Sequence, residues 1–409
     1  MTPACTLGPL IVVTPETPWP AIHGARVDVW NRWRMLRSIG WRLVLVTWRE
    51  AGETQDATTD AALSQVFEHV SWLEKPSGAG GLLNRLVGLP RHSPHVWTRR
   101  IGATQLAALN TVLQGQRPVG VVLDSLYGAL AARKLARHLK VPLLHRAHNI
   151  EHMYMLRQAL AAQGLKRKLA VRLASLHLRR LETEIHREAA WTFDISQCDL
   201  AFWRKLGCDR SSWLPPLVDA LPAATSAWQD RPYDVLYLGN LHTPNNVAGL
   251  AWFFNLVMPE LDKLRPGLRI AVAGSHPNER VRSLVAACSG ASLLANPVNV
   301  AQVRAQGRVL VNPILFGSGV NVKSVEMLFT DSPIVTTRIG VQGLSADVQD
   351  AFSVTDDPVQ FAAVINKALE QGPVQDAARD AARAAFGSQA AGELSTRLLA
   401  LLGQHVASE

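Results

Sequence analysis

The sequence predicts an α/β fold with parallel sheets arranged in two domains. Short apolar runs alternate along the chain with stretches of helical spacing, and this alternation is typical of βαβ units. The chain has 409 residues, which is more than a single hydrophobic core usually supports. The same alternation restarts after a proline-rich segment at 211–234, so we predict a domain boundary there.

In the first half, apolar runs and helical spacing define the elements in chain order. Predicted strands cover 10–14, 41–48, 66–73, 119–124, 141–146 and 191–196. Predicted helices cover 26–39, 97–113, 126–140, 165–181 and 198–206. The polar residues 51–60 are predicted to form a surface loop, and 76–94 give no clear periodicity. The run at 119–124, VGVVLD, is continuously apolar up to its final Asp, as expected of a strand buried on both faces.

The second half repeats this order. Predicted strands cover 234–238, 268–274, 291–295, 308–315, 334–337 and 352–354. Predicted helices cover 245–264, 279–288, 300–306, 322–329, 358–371, 374–385 and 389–405. We therefore predict an N-terminal domain at 1–214, a C-terminal domain at 215–387 and a final helix within 388–409.

Composition excludes several classes of protein. The chain is 48% hydrophobic and 18% charged, and no apolar run approaches the roughly 20 residues that span a bilayer. The N-terminus lacks a basic segment before its short apolar run, which favours a first strand over a signal peptide. The four cysteines form no CxxC pair and have no His at metal spacing. We predict thiols in the reducing cytoplasm and neither a metal site nor a cofactor.

Charge is concentrated in the first half. Residues 1–220 contain 28 Lys and Arg against 17 Asp and Glu, whereas the remainder contains 14 against 16. A basic half predicts an acidic partner, which could be nucleic acid, an anionic membrane surface or an anionic lipid-linked acceptor. Nucleic acid is disfavoured, because the chain has no RNA-binding or zinc motif and no aromatic residues interleaved with its basic runs.

The most basic stretch is 165–181, LKRKLAVRLASLHLRRL. Its leucines at 165, 169, 173 and 176 recur at helical spacing, and six Lys or Arg residues accompany them. A helix lying in a membrane interface has this pattern, and so does a surface helix packed on its own domain. Both interpretations stay open from the sequence, and the first predicts an anionic membrane surface as a partner.

The most informative stretch is 308–344, which is predicted to form a strand, a glycine loop, a helix and a second strand. In an open parallel sheet, a loop that leaves the carboxyl end of a strand and begins a helix is where ligands bind. Lys323 and Glu326 are three residues apart and share one helix face. The cation can neutralise a phosphate, and the carboxylate can accept hydrogen bonds from paired hydroxyls. The simpler alternative is a salt pair on a solvated face.

This stretch resembles the donor-binding segment of GT-B glycosyltransferases of the glycosyltransferase family 4 type. In that family one Glu contacts the donor sugar, and a second Glu, eight positions later, holds the nucleotide ribose. Glu326 matches the second Glu, but Ser318 stands where the first would be. The resemblance implies two Rossmann-like domains facing a central cleft, with a final helix that crosses back onto the first domain. It also implies a metal-independent hexosyl transfer with retention of anomeric configuration.

The resemblance also implies which residues bind the donor. The diphosphate is expected at Lys323 and the ribose at Glu326, with backbone and polar groups of two loops around them. The family often has an Arg and a Lys in the loop after the strand at 234–238, where this chain has Asn240, His242, Asn245 and Asn246. The predicted donor-binding residues are Gly239, Asn240, Gly317, Ser318, Gly319, Val320, Asn321, Lys323 and Glu326.

A second group of candidates follows the strand at 141–146. Many family members have a His at this position close to the donor sugar, and His148 is the match, although His145 and His152 are neighbours. We predict His148, Lys323 and Glu326 as catalytic residues. The acceptor or cleft residues are predicted to be His23, Gly24, Arg146 and Asn149.

The predicted function is a glycosyltransferase that moves a sugar from a UDP- or GDP-sugar to a glycan or lipid-linked acceptor in cell-surface polysaccharide or glycolipid assembly. Its location would be the cytoplasm or the inner face of the plasma membrane. The alternative is a non-catalytic GT-B protein that binds nucleotide sugars as a partner of another transferase. Ser318 and the missing Arg and Lys after Gly239 motivate that alternative.

Overall fold

The computed structural model describes residues 8–22, 24–54, 56–76, 78–161, 164–219, 226–317 and 319–406. The chain divides into two compact units. The first unit comprises Met1–Ala21, Val29–Pro215 and Ala391–Glu409, and the second comprises Ile22–Asp28 and Pro216–Ala390. Each unit is built around one parallel sheet, which confirms the predicted α/β fold.

The sheet of the first unit has seven strands in the order β3-β2-β1-β4-β5-β6-β7. The strands are β1 (Leu10–Val13), β2 (Leu43–Glu50), β3 (His69–Lys75), β4 (Gly120–Asp124), β5 (Leu143–Ala147), β6 (Trp191–Asp194) and β7 (Ser211–Trp213). Every neighbouring pair is parallel. All residues of β1, β4 and β5 are buried, because helices cover both faces of such a sheet.

Ten α-helices precede the second sheet in the part of the chain that the structure describes. They are α1 (Gly24–Ser38), α2 (Ala57–Val66), α3 (Gly78–Gly88), α4 (Pro94–Trp97), α5 (Ala103–Val112), α6 (Ala129–Leu139), α7 (Glu151–Ala161), α8 (Leu165–Ser175), α9 (Leu178–Glu188) and α10 (Gln197–Lys205). Buried side chains of the sheet, such as Ile11 and Val121, form one core with leucines of α5, α6 and α9.

The sheet of the second unit has six strands in the order β10-β9-β8-β11-β12-β13. The strands are β8 (Tyr233–Leu238), β9 (Ile270–Gly274), β10 (Ala291–Ala295), β11 (Gly307–Asn312), β12 (Ile334–Thr336) and β13 (Ser353–Val354). The helices of this half are α11 (Pro244–Trp252), α12 (Met258–Leu264), α13 (Glu279–Ala286), α14 (Val300–Arg304), α15 (Val322–Met327), α16 (Ala346–Gln349), α17 (Pro358–Gln371) and α18 (Ala377–Phe386). A π-helical turn, Phe253–Val257, joins α11 to α12.

The last helix, α19 (Ser388–Val406), belongs mostly to the first unit. Its Leu394, Leu398 and Leu402 are buried, and its Ser395 hydroxyl accepts a 2.8 Å hydrogen bond from Trp41 Nε1. Leu402 lies so close to Gly120 that a Cβ at Gly120 would be 2.8 Å from it. The chain therefore completes the first unit with its C-terminal helix. None of the described helices has the length and apolar character needed to cross a membrane.

The predicted elements differ from the structure in several places, and helices α7 and α16 were not predicted at all. Part of the predicted loop at 51–60 is the start of α2, and 76–94 contains α3. The predicted helix at 165–181 is two helices, because Leu176 leaves the helical conformation and His177 has a positive φ of 62°. The proline-rich segment predicted as a linker begins with β7, which is the edge strand of the first sheet.

Candidate functional site

The second sheet has its topological switch at β8, which lies between β9 and β11. From β8 the chain continues to β9 and β10 at one edge of the sheet, and from β11 it continues to β12 and β13 at the other edge. In such sheets ligands bind outside the carboxyl ends of the strands at the switch. Two loops leave the sheet at this point, one after Leu238 and the other after Asn312. Both are the loops that the sequence predicted for donor binding.

Lys323 connects the two sides of this switch. Its ammonium group donates a 2.8 Å hydrogen bond to Asn246 Oδ1 on α11 and a 3.1 Å hydrogen bond to Tyr237 Oη on β8. The same nitrogen lies 4.5 Å from the centre of the Tyr237 ring, which is favourable for a cation. We call these three residues the Lys323 cluster.

The Lys323 cluster contains a cation without a carboxylate partner among the described residues. Both of its hydrogen-bond acceptors are neutral. Burial lowers the pKa of Lys323 to about 7, because removal from water disfavours the charged form of an amine. An anion placed beside the amine would reverse this effect. The cluster is therefore suited to a negatively charged ligand such as a diphosphate.

Glycines allow the loops to approach the cluster closely. A Cβ at Gly239 would lie 2.7 Å from Tyr237 Oη, so a side chain directly after β8 would push against the Tyr237 hydroxyl that contacts Lys323. A Cβ at Gly249 on α11 would lie 2.2 Å from the carbonyl oxygen of Pro313. Helix α11, which carries Asn246, therefore packs directly on the loop that leads to Lys323.

Glu326 is held by an arginine that the sequence did not single out. Arg304 Nη2 on α14 lies 2.8 Å from Glu326 Oε2, and the Arg304 side chain is buried. Lys323 and Glu326 thus have different partners, which contradicts the alternative of a simple salt pair between them. A carboxylate has about four acceptor positions, so Glu326 keeps capacity for ligand hydroxyls while Arg304 fixes its position.

The remaining predicted donor residues have different local roles. Asn240 Oδ1 accepts hydrogen bonds from the backbone N–H groups of His242 and Thr243, at 2.9 and 3.3 Å. Its side-chain oxygen therefore shapes the loop, and donor binding by Asn240 stays a prediction for its remaining polar groups. Gly319 has a positive φ of 69°, where glycine is favoured. Gly317 is exposed, Val320 and Asn321 are half-buried, and Ser318 lies outside the described residues.

In the first unit, His148 belongs to a network around the buried carboxylate of Asp124, the last residue of β4. His148 Nε2 lies 2.7 Å from Asp124 Oδ1. Arg32 Nη2 donates to both oxygens of Asp124, at 3.0 and 2.9 Å, and Trp33 Nε1 donates to Oδ2 at 2.7 Å. Burial opposes ionisation of Asp124, but Arg32 and His148 hold its pKa well below the usual range. The network fixes the orientation of the His148 ring.

Arg146 and Asn149, the predicted cleft residues on either side of His148, differ in burial. Arg146 is buried, and its guanidinium donates to the carbonyl oxygen of Leu214. Arg146 therefore stabilises the interior of the first unit, which corrects its predicted role as an acceptor residue. Asn149 is half-buried and donates a side-chain hydrogen bond to Glu151. Gly24 is the first residue of α1, and His23 lies outside the described residues.

The other two histidines near His148 have structural partners. His145 is buried and packs edge-on against His186 with ring centres 5.1 Å apart. Burial lowers the pKa of His145 well below the usual range. His152 Nδ1 lies 2.6 Å from Glu182 Oε2. Of the three, His148 is the one joined to the end of β4.

Sequence reasoning missed five residues of these clusters: Tyr237, Arg304, Asp124, Arg32 and Trp33. Asp124 ends a continuously apolar strand, so its position at the carboxyl edge of the sheet was a usable signal. Tyr237 and Arg32 carry no such signal, because each lies within a regular element. Arg304 is 22 residues from its partner in the sequence, and only the fold brings the two together. Among the described residues, no group of three or more His, Cys, Asp or Glu is placed to hold a metal ion.

Comparison with known sequences gives one family and one relative. Residues 232–371 match the family described as "Glycosyl transferases group 1". This range begins just before β8 and includes the Lys323 cluster, Arg304 and Glu326. The chain is also 24% identical over 366 residues to an uncharacterized 44.6 kDa protein in the cps region of Klebsiella pneumoniae, covering 86% of this chain and 89% of the relative.

Solved structures with the same fold are glycosyltransferases and related enzymes. HepE from Anabaena, crystallised with UDP and glucose, superposes with a TM-score of 0.63 at 12% identity, covering 96% of this chain and 99% of HepE. Sucrose-phosphate synthase from Thermosynechococcus elongatus gives 0.63 at 14% identity, covering 98% and 100%. TarM from S. aureus gives 0.61 at 9% identity, covering 98% and 99%.

These matches confirm the GT-B fold and the predicted resemblance to GT-B glycosyltransferases. The structural likeness covers nearly the whole chain, and the family match covers the unit that contains the Lys323 cluster. Assignment to family 4 stays a prediction, as do the roles of the individual site residues.

Proposed function

We propose that this GT-B chain is a glycosyltransferase that moves a sugar from a nucleoside-diphosphate sugar to a glycan or lipid-linked acceptor. The family match over 232–371 supports transfer of a sugar. The HepE complexes with UDP and with UDP-glucose support a nucleotide-sugar donor, and favour a UDP-sugar over a GDP-sugar. Retention of configuration and hexosyl transfer are part of the proposal through the resemblance to family 4.

The observation that carries the proposal is the Lys323 cluster. The Lys323 amine lies at the switch point of a parallel sheet and has neutral hydrogen-bond partners. An anionic ligand could therefore pair with it. A donor diphosphate beside Lys323 would receive a charged hydrogen bond, and Tyr237 and Asn246 keep the amine in position for it. As the bond to the sugar breaks, negative charge grows on the leaving diphosphate. A fixed ammonium group stabilises that charge more than it stabilises the ground state.

Glu326 is proposed to bind the ribose. The ion pair with Arg304 sets the direction of the carboxylate, and its second oxygen is available to accept hydrogen bonds from the vicinal hydroxyls. Lys323 and Glu326 lie one helical turn apart on α15. Diphosphate and ribose are adjacent in the donor, so the two side chains match its two polar groups. The proposal assigns charge neutralisation to Lys323 and requires no metal ion.

The first unit is proposed to bind the acceptor. It holds the excess positive charge of the chain, which suits an anionic or lipid-linked acceptor. His148, oriented by Asp124, is proposed to contact the reacting sugar. The relative in the cps region of K. pneumoniae supports a role in cell-surface polysaccharide or glycolipid assembly. A place in the cytoplasm or on the inner face of the plasma membrane fits such an acceptor.

A non-catalytic nucleotide-sugar-binding partner is the second candidate. It is favoured by Ser318, which stands where family 4 enzymes have the Glu that contacts the sugar. This candidate shares the binding site with the first and differs only in turnover. Release of UDP from UDP-sugars in the presence of acceptor fractions distinguishes them, because a partner protein binds the donor without consuming it.

The test of the donor site is the variant Lys323→Met, which keeps the volume of the side chain and removes the amine. We expect the Kd for UDP-glucose, measured by isothermal titration calorimetry, to rise about 10- to 100-fold, as for loss of a charged hydrogen bond. Lys263→Met is the matched control, because Lys263 is exposed and pairs with Glu260. An unchanged Kd for Lys323→Met would refute the site.

Glu326→Ala is a weaker test of the donor site than Lys323→Met. Removing Glu326 leaves the buried guanidinium of Arg304 without its partner, and breaking a buried ion pair destabilises a protein by about 3–5 kcal/mol. We therefore expect Glu326→Ala to lower the stability of the fold as well as donor binding. A loss of donor binding in Glu326→Ala would not separate misfolding from loss of the ribose contact.

A further inference from the structure

Helix α8 leaves its leucine side chains largely exposed. Each residue of Leu165–Ser175 is described, and none is buried. Leu165 keeps 82% of its surface exposed, and Leu169 and Leu173 are exposed as well. Helices of this length are marginal in water unless tertiary contacts support them. The helix does contact α7 and α4 of its own unit, as the second interpretation of this stretch predicts, but Leu165, Leu169 and Leu173 stay exposed.

Two neighbouring helices present further exposed apolar side chains. On α3, Leu83, Leu86 and Val87 are exposed, with Leu83 at 64%. On α7, Leu156 and Leu160 are exposed, although Ala159 on the same helix is buried. Single exposed leucines are common on protein surfaces, whereas clusters of them mark interaction sites. We call the exposed side chains of α3, α7 and α8 the apolar–basic face.

Specific contacts join these helices into one surface of the first unit. Helix α8 packs against α7 and α4, and α4 packs against α3. Asn84 on α3 accepts a 3.2 Å hydrogen bond from Trp97 Nε1 at the end of α4. His177 Nε2, just after α8, lies 2.9 Å from the carbonyl oxygen of Leu89, just after α3. The helices are therefore held together while their leucines face outward.

The charge of this face has a single sign. Residues 78–92 and 153–176 contain no Asp or Glu. They contain exposed basic residues on each of the segments: Arg85, Arg91, Arg157, Lys166, Lys168, Arg167 and Arg172. An interfacial helix combines an apolar stripe with Lys and Arg at its borders, because the leucines enter the acyl region and the cations meet lipid phosphates.

We propose that the apolar–basic face docks the first unit onto an anionic lipid bilayer. The leucines of α8 and α3 lie among the acyl chains, and the flanking cations contact anionic headgroups. This surface is separate from the Lys323 cluster, so the inference does not depend on whether the chain transfers a sugar. It does supply a reason for a lipid-linked acceptor to reach the first unit.

Charge favours a bilayer over a second copy of the chain. Contact between two copies through this face would bring like charges together, which is unfavourable in an interface. The face also lacks acidic residues that could form cross-pairs. An anionic surface satisfies the cations and the leucines at the same time.

The experiment is flotation of the purified full-length chain with vesicles. One set contains equal parts of phosphatidylglycerol and phosphatidylcholine, and the other contains phosphatidylcholine alone. We expect partition onto the anionic vesicles to be at least about tenfold stronger, and to fall as salt is added. The triple variant Leu165→Gln, Leu169→Gln, Leu173→Gln is expected to lose about tenfold in partition, since these leucines would enter the acyl region.

The matched control changes equally exposed leucines of the second unit, Leu256→Gln and Leu264→Gln. It is expected to float like the unchanged chain. The role of the charges is tested with the double variant Lys166→Gln, Lys168→Gln. Its control is the double variant Arg280→Gln, Arg282→Gln on α13. Only the first double variant is expected to weaken flotation. Circular dichroism should be unchanged throughout, because each substituted side chain is exposed or half-exposed.

The proposal is overturned if anionic and neutral vesicles bind equally, or if the triple leucine variant floats as well as its control. It is also overturned if sedimentation velocity shows a dimer that the triple variant dissociates while the unchanged chain leaves the vesicles unbound. That outcome would assign the face to a second copy. UDP-glucose affinity should be the same for the triple variant and the unchanged chain, so failure of this proposal can be told from failure of the donor site.

Discussion

Lys323 is the residue whose chemistry depends most on what is bound. In the ligand-free chain, burial lowers the pKa of Lys323 to about 7. A diphosphate beside the amine favours the ammonium form and raises this pKa. Donor binding above pH 7 should therefore take up a proton. We expect the affinity for UDP-glucose to fall about tenfold between pH 6 and pH 8, because only the protonated fraction binds strongly.

Calorimetry in two buffers with different ionisation enthalpies measures this proton uptake directly. Lys323→Met should bind weakly and with no uptake in this range. The pH dependence of stability has the opposite sign: donor affinity should fall as the pH rises, whereas the free energy of unfolding should rise. Because folding lowers the pKa of Lys323, the unfolded chain binds more protons between about pH 7 and pH 10, so this residue makes the free energy of unfolding rise with pH there. An affinity that is constant from pH 6 to pH 8 would contradict the prediction.

Lys323 and Glu326 could be predicted as site residues from the sequence because they follow a glycine loop at the start of a helix. Their partners could not be chosen. Tyr237 lies in a strand 86 residues away and Asn246 lies 77 residues away, and neither contact has a local signature. For Arg146, in contrast, the position in the sequence suggested a ligand-binding role that the burial of its side chain contradicts. Its place at the carboxyl end of β5 predicted exposure, but its side chain turns inward to the Leu214 carbonyl, which sequence position alone cannot show.

Helix α11 shows how one element sets the geometry of the Lys323 cluster. Gly249 touches the Pro313 carbonyl, and a Cβ there would be 2.2 Å from that oxygen. We expect Gly249→Ala to push α11 away from the loop after β11 and to displace Asn246. Overpacking of this kind costs about 1–3 kcal/mol. The expected result is a lower denaturation midpoint together with a higher Kd for UDP-glucose.

Gly392 on α19 is the matched control, because a Cβ there meets nothing within 4 Å. In that helix interior, Gly392→Ala should stabilise the chain by about 0.5–1 kcal/mol through the higher helix propensity of Ala. Chemical denaturation of the two variants measures both effects. If Gly249→Ala were also stabilising and bound the donor normally, the close contact between α11 and the loop would be wrong.

The elements that the sequence predicted well are those with strong periodicity or continuous burial. Strands β1, β4, β8, β9 and β11 are apolar throughout most of their length, and the predictions overlap all of them. Helix α3 was missed because it begins with GAGG, a poor helix sequence, and is held by Trp97 and other contacts distant in sequence. Strand β7 was missed because its three residues have no periodicity, and only pairing with β6 makes it a strand.

At the scale of the whole molecule, charge is divided between the two units. The basic residues are concentrated before residue 220, and the remainder is slightly acidic. The Lys323 cluster therefore lies in a unit without a general excess of positive charge, and in the proposed donor site the half-buried Lys323 would supply the attraction for a diphosphate. The basic half instead has exposed Lys and Arg residues on α3, α7 and α8. Under the two proposals, the diphosphate and the anionic bilayer bind to different units.

The C-terminal helix makes the first unit dependent on the last residues of the chain. Leu394, Leu398 and Leu402 of α19 are buried, Ser395 accepts the hydrogen bond of Trp41, and Arg397 lies 4.2 Å from the centre of the Trp191 ring. Burying one Leu side chain contributes about 1.5–3 kcal/mol. We expect deletion of 388–409 to lower the thermal transition of the first unit, even though residues 8–215 are all retained.

Differential scanning calorimetry with and without UDP-glucose tests this, because a ligand raises the transition of the unit that binds it. The transition that UDP-glucose raises belongs to the second unit and should stay at the same temperature in the truncated chain. The other transition should fall or disappear. Leu402→Ala, which truncates only one of the buried leucines of α19, should lower that same transition by less than the deletion does. A truncated chain in which the UDP-sensitive transition falls instead would place α19 in the stability of the second unit, against the division of the fold described above.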